Sequence, residues 1–373
     1  MNTSADDLTF MKKALELARR GIGQVSPGAL VGAVVVKHGD IVGEGFYQYD
    51  RRKHAEVIAV EKAGRKAAGA TLYLNLEPCS HFGRTPPCAD FLIQNKIRRV
   101  VCAMKDPNPL VSGKGFQKLR KAGIPVETGL LGDEAARLNE QFVKHVATGK
   151  PFVTLKTAMT LDGKIAFPNQ KRGSITWITG ESARRRVHDI RHAHDAILVG
   201  INTVLKDDPQ LTDRSGRPRR RRLLRVILDA QLRLPLRSQI VRSAHEDVLA
   251  FCQTSAKKSA GPALAKHGVE VVPCLKTGLS TSANWNNILK ELGKRQIQSL
   301  LIEGGAATNS SALRAGVVDK FHFFIAPKIL NGRDAVPVFA EDLGRSSRVP
   351  ASVDLWSIEF VGEDLLVTAY AVN

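Results

Sequence analysis

His54, Cys79 and Cys88 offer one imidazole and two thiols, and a fold that lets them bind a single ion must bring all three to one point. That demand is the strongest constraint in the chain. Glu56 stands two residues after the histidine, and eight residues, Ser80-His81-Phe82-Gly83-Arg84-Thr85-Pro86-Pro87, separate the cysteines. Three protein ligands leave the fourth tetrahedral position of a zinc ion to water, which marks a catalytic site rather than a structural one. His54 and Glu56 open a helix-like stretch, 54–68, and the cysteines flank a loop leading into a second one, 87–95. First-turn side chains can converge, and positive helix N-termini favour thiolate over thiol.

Exchanging an amino group on a heteroaromatic ring for a carbonyl needs a nucleophile stronger than neutral water and a group that carries protons. Zinc supplies the first by lowering the pKa of bound water to about 7. A carboxylate near that water but off the metal, here Glu56, supplies the second. A lone His or Cys reads as core packing; four such residues in this order read as a hydrolytic zinc deaminase. A purely structural zinc site would leave Glu56 without a role.

The rest of the chain sets the frame. Its 373 residues exceed one small core, so two or three domains are expected, with 43% hydrophobic and 24% charged residues typical of a globular protein. Five cysteines are too few and too odd for a secreted disulfide framework, and Cys102, Cys252 and Cys274 sit in strand-like surroundings as core. No leader-like segment or bilayer-length apolar run is present, so a cytoplasmic enzyme without membrane contact is expected. The formal charge of +19 attracts anions, nucleic acid or phosphorylated metabolite alike. Its densest run, Arg217-Pro218-Arg219-Arg220-Arg221-Arg222, lacks interleaved aromatics and reads as a solvated loop.

Met11, Ala14, Leu15 and Ala18 make one helix face. Apolar strands at 29–36 and 41–46 form a hairpin, and strands at 71–76, 98–104 and 124–127 alternate with helices at 54–68, 87–95, 115–121 and 133–146. The stop signal Thr148-Gly149-Lys150-Pro151 places a boundary between domains 1–149 and 150–373. Strands at 152–158, 196–199, 225–228, 248–251, 269–272, 299–302, 321–329 and 365–372, with helices at 182–192 and 284–292, make the second half α/β as well.

The long gap between the cysteines resembles the deaminase domain of the bifunctional riboflavin-biosynthesis deaminase/reductase family; shorter Pro-Cys-x-x-Cys spacing is usual in deaminases of cytidine or polynucleotides. The resemblance continues through Asp106-Pro107-Asn108-Pro109, Gly113-Lys114-Gly115, Leu161-Asp162-Gly163-Lys164, Trp177-Ile178-Thr179, Asp195-Ala196-Ile197-Leu198-Val199-Gly200 and Asp207-Asp208-Pro209-Gln210-Leu211-Thr212. It implies a cytidine-deaminase-like αβα domain followed by a dihydrofolate-reductase-like α/β domain. It implies zinc and NADPH as cofactors and a phosphorylated pyrimidine substrate. A 2,5-diaminopyrimidinone carrying a phosphoribosylamino group would lose its 2-amino group, and its ribosyl chain would then be reduced to ribityl. An RNA-editing deaminase is the competing reading, and the cysteine spacing and second domain speak against nucleic acid. The oligomeric state stays open, a homo-oligomer included.

By the same resemblance Ala158, Trp177, Thr203, Asp207 and the turn Gly305, Ala306, Ala307, Thr308, Asn309, Ser310 and Ser311 would contact NADPH. Arg191, Leu211, Arg214 and Glu303 would contact substrate, the arginines suiting its phosphate. Taken alone, Glu303-Gly304-Gly305 reads as a tight strand-to-helix turn as readily as a pyrophosphate cradle. No side chain announces itself as the reductase's general acid; Asp207 is a candidate by position only. The chain departs from the family at Gly28, Tyr47 and Arg51, where asparagine, histidine and glycine are usual, and at Ile175, where Ser174 stands one residue early. Gly28 has no side chain to bond a pyrimidine edge, so a deaminase altered in rate or substrate, or idle, is a second expectation.

Overall fold

The computed structural model describes residues 5–167, 177–275, 281–340 and 352–372; Ser174, Ile175 and the stretch 168–173 lie outside them. The chain divides into two compact units, Met1–Gly149 with Pro218–Arg221, and Lys150–Arg217 with Arg222–Asn373.

In the first unit, helix α1 (Ala5–Arg19) precedes the hairpin of β1 (Gly32–Lys37) and β2 (Asp40–Phe46). Then follow α2 (Ala55–Ala63), β3 (Thr71–Leu76), α3 (Cys88–Gln94), β4 (Arg99–Met104), α4 (Lys114–Lys121), β5 (Val126–Thr128), α5 (Gly132–Leu138) and α6 (Glu140–Thr148). The sheet order is β2-β1-β3-β4-β5, antiparallel through β2-β1-β3 and parallel from β3 to β5. Every residue of the central β3 is buried, as a strand covered on both faces must be. Met11, Ala14 and Leu15 of α1 pack with Ala135 of α5 on one face, while Ala55, Ala59, Ala89, Leu92 and Leu119 of α2, α3 and α4 cover the other.

Two glycines of β2 set the position of α2. A Cβ at Gly43 would lie 2.1 Å from the Ala59 carbonyl oxygen and one at Gly45 2.2 Å from that of Ala55, so the helix backbone rests directly on the strand. The N-terminus of α2, with His54 and Glu56, is thereby held against the sheet. The single helix expected over 133–146 is broken at Asn139, whose Oδ1 accepts from the Leu30 N–H at 2.8 Å and whose Nδ2 donates to the Leu30 carbonyl at 3.0 Å. The arginine run is not wholly solvated: within this unit Arg220 lies 3.8 Å over the Tyr49 ring, pairs with Asp50 at 3.1 Å and donates to the Ser26 carbonyl at 2.7 Å.

The second unit contains β6 (Phe152–Thr160), β7 (Lys164–Ala166), α7 (Glu181–His192), β8 (Ala196–Gly200), α8 (Ile201–Asp207), β9 (Leu224–Leu228), α9 (Gln239–Arg242), β10 (Val248–Gln253) and α10 (Thr254–Ala265). It continues with β11 (Val269–Leu275), α11 (Thr281–Lys294), β12 (Ser299–Ile302), α12 (Ala306–Arg314), β13 (Lys320–Ala326), β14 (Val336–Pro337), β15 (Val353–Val361) and β16 (Asp364–Ala371). Nine strands run in the order β11-β10-β9-β8-β12-β6-β13-β16-β15, the first seven parallel and the last two antiparallel. Cores fill both faces, one around Ile197, Val199, Ile227 and Leu301, the other around Val153, Leu155, Trp285 and Leu300. Strand β15 ends the sheet and exposes Leu355, Trp356, Ile358 and Phe360. Among the described residues no helix is long and apolar enough to cross a membrane.

Candidate active sites

The first site forms where β3 ends and two helices begin. Chain leaving Leu76 carries Glu77-Pro78-Cys79, His54 is the N-cap residue of α2, and Cys88 is the first residue of α3. His54 Nδ1 lies 3.1 Å from Cys88 Sγ and 3.6 Å from Cys79 Sγ, and the three ligand atoms sit within 4.8 Å of one another. Such spacing suits a tetrahedral zinc with bonds of about 2.0 to 2.3 Å. The Cys88 N–H donates to Cys79 Sγ at 3.3 Å.

The protonation of the thiols fits the same ion. Their mutual hydrogen bond holds Cys79 down to about 4 and, with burial, pushes Cys88 up, because two neighbouring thiolates beside Glu56 repel. A divalent cation lets both ionise. Glu56, only 3% exposed, has its carboxyl raised by burial against the opposing pull of His54. A carboxyl raised in this way exchanges a proton closer to neutral pH than a free one.

A cavity of about 170 Å³ opens at these residues, lined by Tyr47, Arg52, His54, Cys79, His81, Gly83, Arg84 and Thr85. Sequence reasoning gave no role to His81, Arg84 or Thr85, although a long segment between two ligands must wrap the site, and that was the available signal. Glu77 was also missed. Its buried carboxylate accepts backbone N–H bonds from Asp106 at 3.2 Å, Gly113 at 2.8 Å, Gly115 at 2.9 Å and Phe116 at 3.4 Å, which ties the strand preceding Cys79 to the start of α4.

The second site is a cavity of about 750 Å³ at the carboxyl ends of the parallel strands β6, β8, β9 and β12, where α/β sheets place their ligands. Of the residues expected at the cofactor, Ala158, Thr203, Asp207, Gly305, Ala306, Ala307, Thr308 and Ser311 line it. Glu303, Lys156 and Lys206 line it too. Gly305 is the N-cap residue of α12, so the first-turn N–H groups of that helix open toward the cavity, as a pyrophosphate requires.

Other expected residues lie outside this lining. Asn309 and Ser310 are buried on the far side of the turn, Asn309 Nδ2 donating to the Val338 carbonyl at 3.0 Å and Ser310 Oγ accepting from the Ala340 N–H at 2.8 Å. Trp177 is 55% exposed, with the Arg184 guanidinium 4.7 Å from its ring centroid. Leu211 is buried in the core with a φ of 55°, and Arg214 is exposed, its N–H donating to His188 Nδ1 at 3.3 Å. The Arg191 guanidinium is turned onto Glu303 and the Thr212 carbonyl.

Comparisons with known proteins find a family match in each half of the chain. Residues 4–104 match the model of the cytidine and deoxycytidylate deaminase zinc-binding region, and residues 151–367 match that of the RibD C-terminal domain. A riboflavin biosynthesis protein RibD from Actinobacillus pleuropneumoniae is 42% identical over 98% of this chain and 96% of its own. The solved structure of Acinetobacter baumannii RibD aligns with a TM-score of 0.86 at 37% identity, covering 99% of each chain. A Thermotoga maritima diaminohydroxyphosphoribosylaminopyrimidine deaminase/5-amino-6-(5-phosphoribosylamino)uracil reductase aligns with a TM-score of 0.84 at 38% identity, covering 98% of each chain.

Proposed function

This chain belongs to the RibD family of bifunctional riboflavin-biosynthesis enzymes, and we propose that residues 1–149 carry its deamination and residues 150–373 its reduction. It is a zinc-dependent deaminase and an NADPH-dependent reductase, with a cytidine-deaminase-like domain before the reductase domain. The observation that carries the first half is the convergence of His54, Cys79 and Cys88 beside buried Glu56.

His54, Cys79 and Cys88 would hold the zinc ion, which would supply an activated water at neutral pH. Glu56 would carry both protons of the water, one to the ring nitrogen as oxygen adds to C2 of the diaminopyrimidinone and one to the departing amine, so the C2–N bond breaks, a C2 carbonyl forms and ammonia leaves. His81, Arg84 and Thr85 confine the ring in the small cavity.

In the second site a bound NADPH would supply the hydride that, with a proton drawn from water, reduces the ribosyl chain to ribityl. The turn Gly305 to Thr308 and Thr203 would hold the cofactor's phosphates, Ala158 would leave room beside it, and Lys156 and Glu303, lining the same cavity, would face the substrate. The role proposed for Arg191 is to fix Glu303, which leaves the phosphate to more exposed cations such as Arg214. The positive charge of the chain then serves a phosphorylated metabolite rather than nucleic acid. The exposed apolar side chains of edge strand β15 support a homo-oligomer joined through the second unit. Sedimentation of wild type against Phe360→Glu tests it; two identical, monomeric distributions would exclude it.

The deciding experiment supplies the diaminopyrimidinone phosphate with and without NADPH and identifies the products by mass. Deaminated ribosylaminouracil is expected without cofactor, and its ribityl form, 5-amino-6-(5-phosphoribitylamino)uracil, with it. Recovery of reduced but still diaminated product would show an idle deaminase.

A further inference from the structure

One aromatic ring lines the cavity of the first site and packs against a residue that has no side chain. Tyr47 follows β2, and its backbone N–H donates to the Val31 carbonyl at 2.9 Å, which fixes where the ring starts. The ring stands edge-on to the His54 imidazole, with centroids 5.4 Å apart and planes at 90°. Behind it lies Gly28. A Cβ there would come within 2.9 Å of Tyr47 Cε1 and 3.0 Å of the Val25 carbonyl oxygen. Gly28 is not among the glycines with left-handed φ. Crowding by the Tyr47 ring and the Val25 carbonyl, not a left-handed φ, is what favours glycine at this position.

We propose that Tyr47 and Gly28 form a coupled pair that determines specificity in the deaminase cavity: Gly28 gives the ring its seat, and the Tyr47 hydroxyl hydrogen-bonds the amino-pyrimidinone ring. The proposal rests on the deaminase reading of the first unit. Among the described residues the Tyr47 hydroxyl has no hydrogen-bond partner, although the side chain lines the cavity. A phenol offers one donor and two lone pairs, enough to meet a ring carbonyl or an exocyclic amine. The volume of about 170 Å³ matches one six-membered ring, since a cavity of about 150 Å³ holds benzene. The Tyr47 ring thus lines the pocket and brings its own polar atom to it.

Four variants test the pair on the full chain loaded with zinc: Tyr47→Phe, Gly28→Ala, Tyr47→Ala and the double Gly28→Ala/Tyr47→Ala. Tyr47→Phe should keep wild-type zinc content and melting temperature while kcat/KM for ammonia release falls about tenfold, chiefly through KM. Gly28→Ala should lower both melting temperature and kcat/KM in the Tyr47 protein, yet change neither by more than about twofold when added to Tyr47→Ala. Wild-type kinetics in Tyr47→Phe would refute the hydrogen bond, and equal losses from Gly28→Ala in both backgrounds would refute the coupling. If wild type itself releases no ammonia, it is the deaminase reading that fails. The packing half of the proposal is still decided by the melting temperatures, and the recognition half by substrate affinity of Tyr47→Phe against wild type.

Discussion

Arg191 grips Glu303 with two parallel hydrogen bonds, Nε to Oε1 at 2.7 Å and Nη2 to Oε2 at 3.0 Å, and Lys156 Nζ adds a third contact to Oε2 at 2.9 Å. Both side chains of the bidentate pair are nearly buried, 12% and 9% exposed. Burial alone would raise the Glu303 carboxyl, but Arg191 and Lys156 outweigh it and hold the group far below the usual carboxylate range.

Because its folded pKa is depressed, the stabilisation from Glu303 is complete above the ordinary unfolded value of about 4.3 and is lost only as pH falls below that toward the folded value. Between pH 7 and 5 this group should leave the second unit's stability unchanged. Glu303→Gln strands two buried cations and should cost about 3 to 5 kcal/mol in denaturant unfolding. It should also flatten the acid limb of stability against pH. An unfolding midpoint equal to wild type at pH 7 would show that the cations find other partners.

Glu56→Gln separates metal binding from proton transfer. Glu56 is not among the three clustered ligand groups, so bound zinc should stay at one per chain while ammonia release falls roughly 10²- to 10⁴-fold. Reduction of supplied deaminated intermediate should proceed at the wild-type rate. Loss of zinc from the Gln variant would make Glu56 a ligand, and full ammonia release would remove it from the chemistry.

The zinc cluster was legible because its residues have chemistry that few core positions need and because two of them start helices whose periodicity is plain. Strands such as Ser299–Ile302 were legible for a similar reason, being short apolar runs between turn signals. Asn139 was not: its polar side chain looked at home on a helix, and its partner, Leu30, is more than a hundred residues away in sequence. Glu77 escaped for the same reason, since backbone N–H groups that satisfy a buried carboxylate leave no mark in the sequence. Arg191 and Glu303 are both expected at the substrate, and the bidentate bond between them leaves no mark in the sequence. Strand β15 and helix α10, with Pro262 inside it, were passed over because neither shows a clean buried stripe.

Glu77 yields a prediction about metal retention. Gln in its place keeps the size but loses the charge, and it turns an amide NH2 toward backbone N–H groups that need an acceptor. The expected cost is about 1.5 to 3 kcal/mol of first-unit stability, with zinc affinity at least tenfold weaker by chelator competition, since Pro78 alone separates Glu77 from Cys79. Unchanged zinc affinity would mean that the cysteine loop is held from its other end.

Gly200 and Thr308 face each other at the cofactor cavity, and their spacing gives a test of that site without touching a charged group. Gly200 has φ −81° and ψ 154°, extended backbone open to any residue, so the glycine supplies room rather than conformational freedom. A Cβ there would stand 2.5 Å from Thr308 Oγ1, and the next nearest atom, Thr308 Cβ, is at an ordinary 3.9 Å. Gly200→Ala must therefore displace the Thr308 hydroxyl, in the first turn of α12. If that turn binds the pyrophosphate, KM for NADPH should rise about tenfold with little change in ammonia release. Thr308→Ala removes the clashing hydroxyl, so the double variant should bind NADPH more tightly than Gly200→Ala alone, a reversal that independent sites do not show. Titration of the three variants by cofactor fluorescence measures this directly. Additive losses would place the pyrophosphate elsewhere in the cavity, away from the α12 turn.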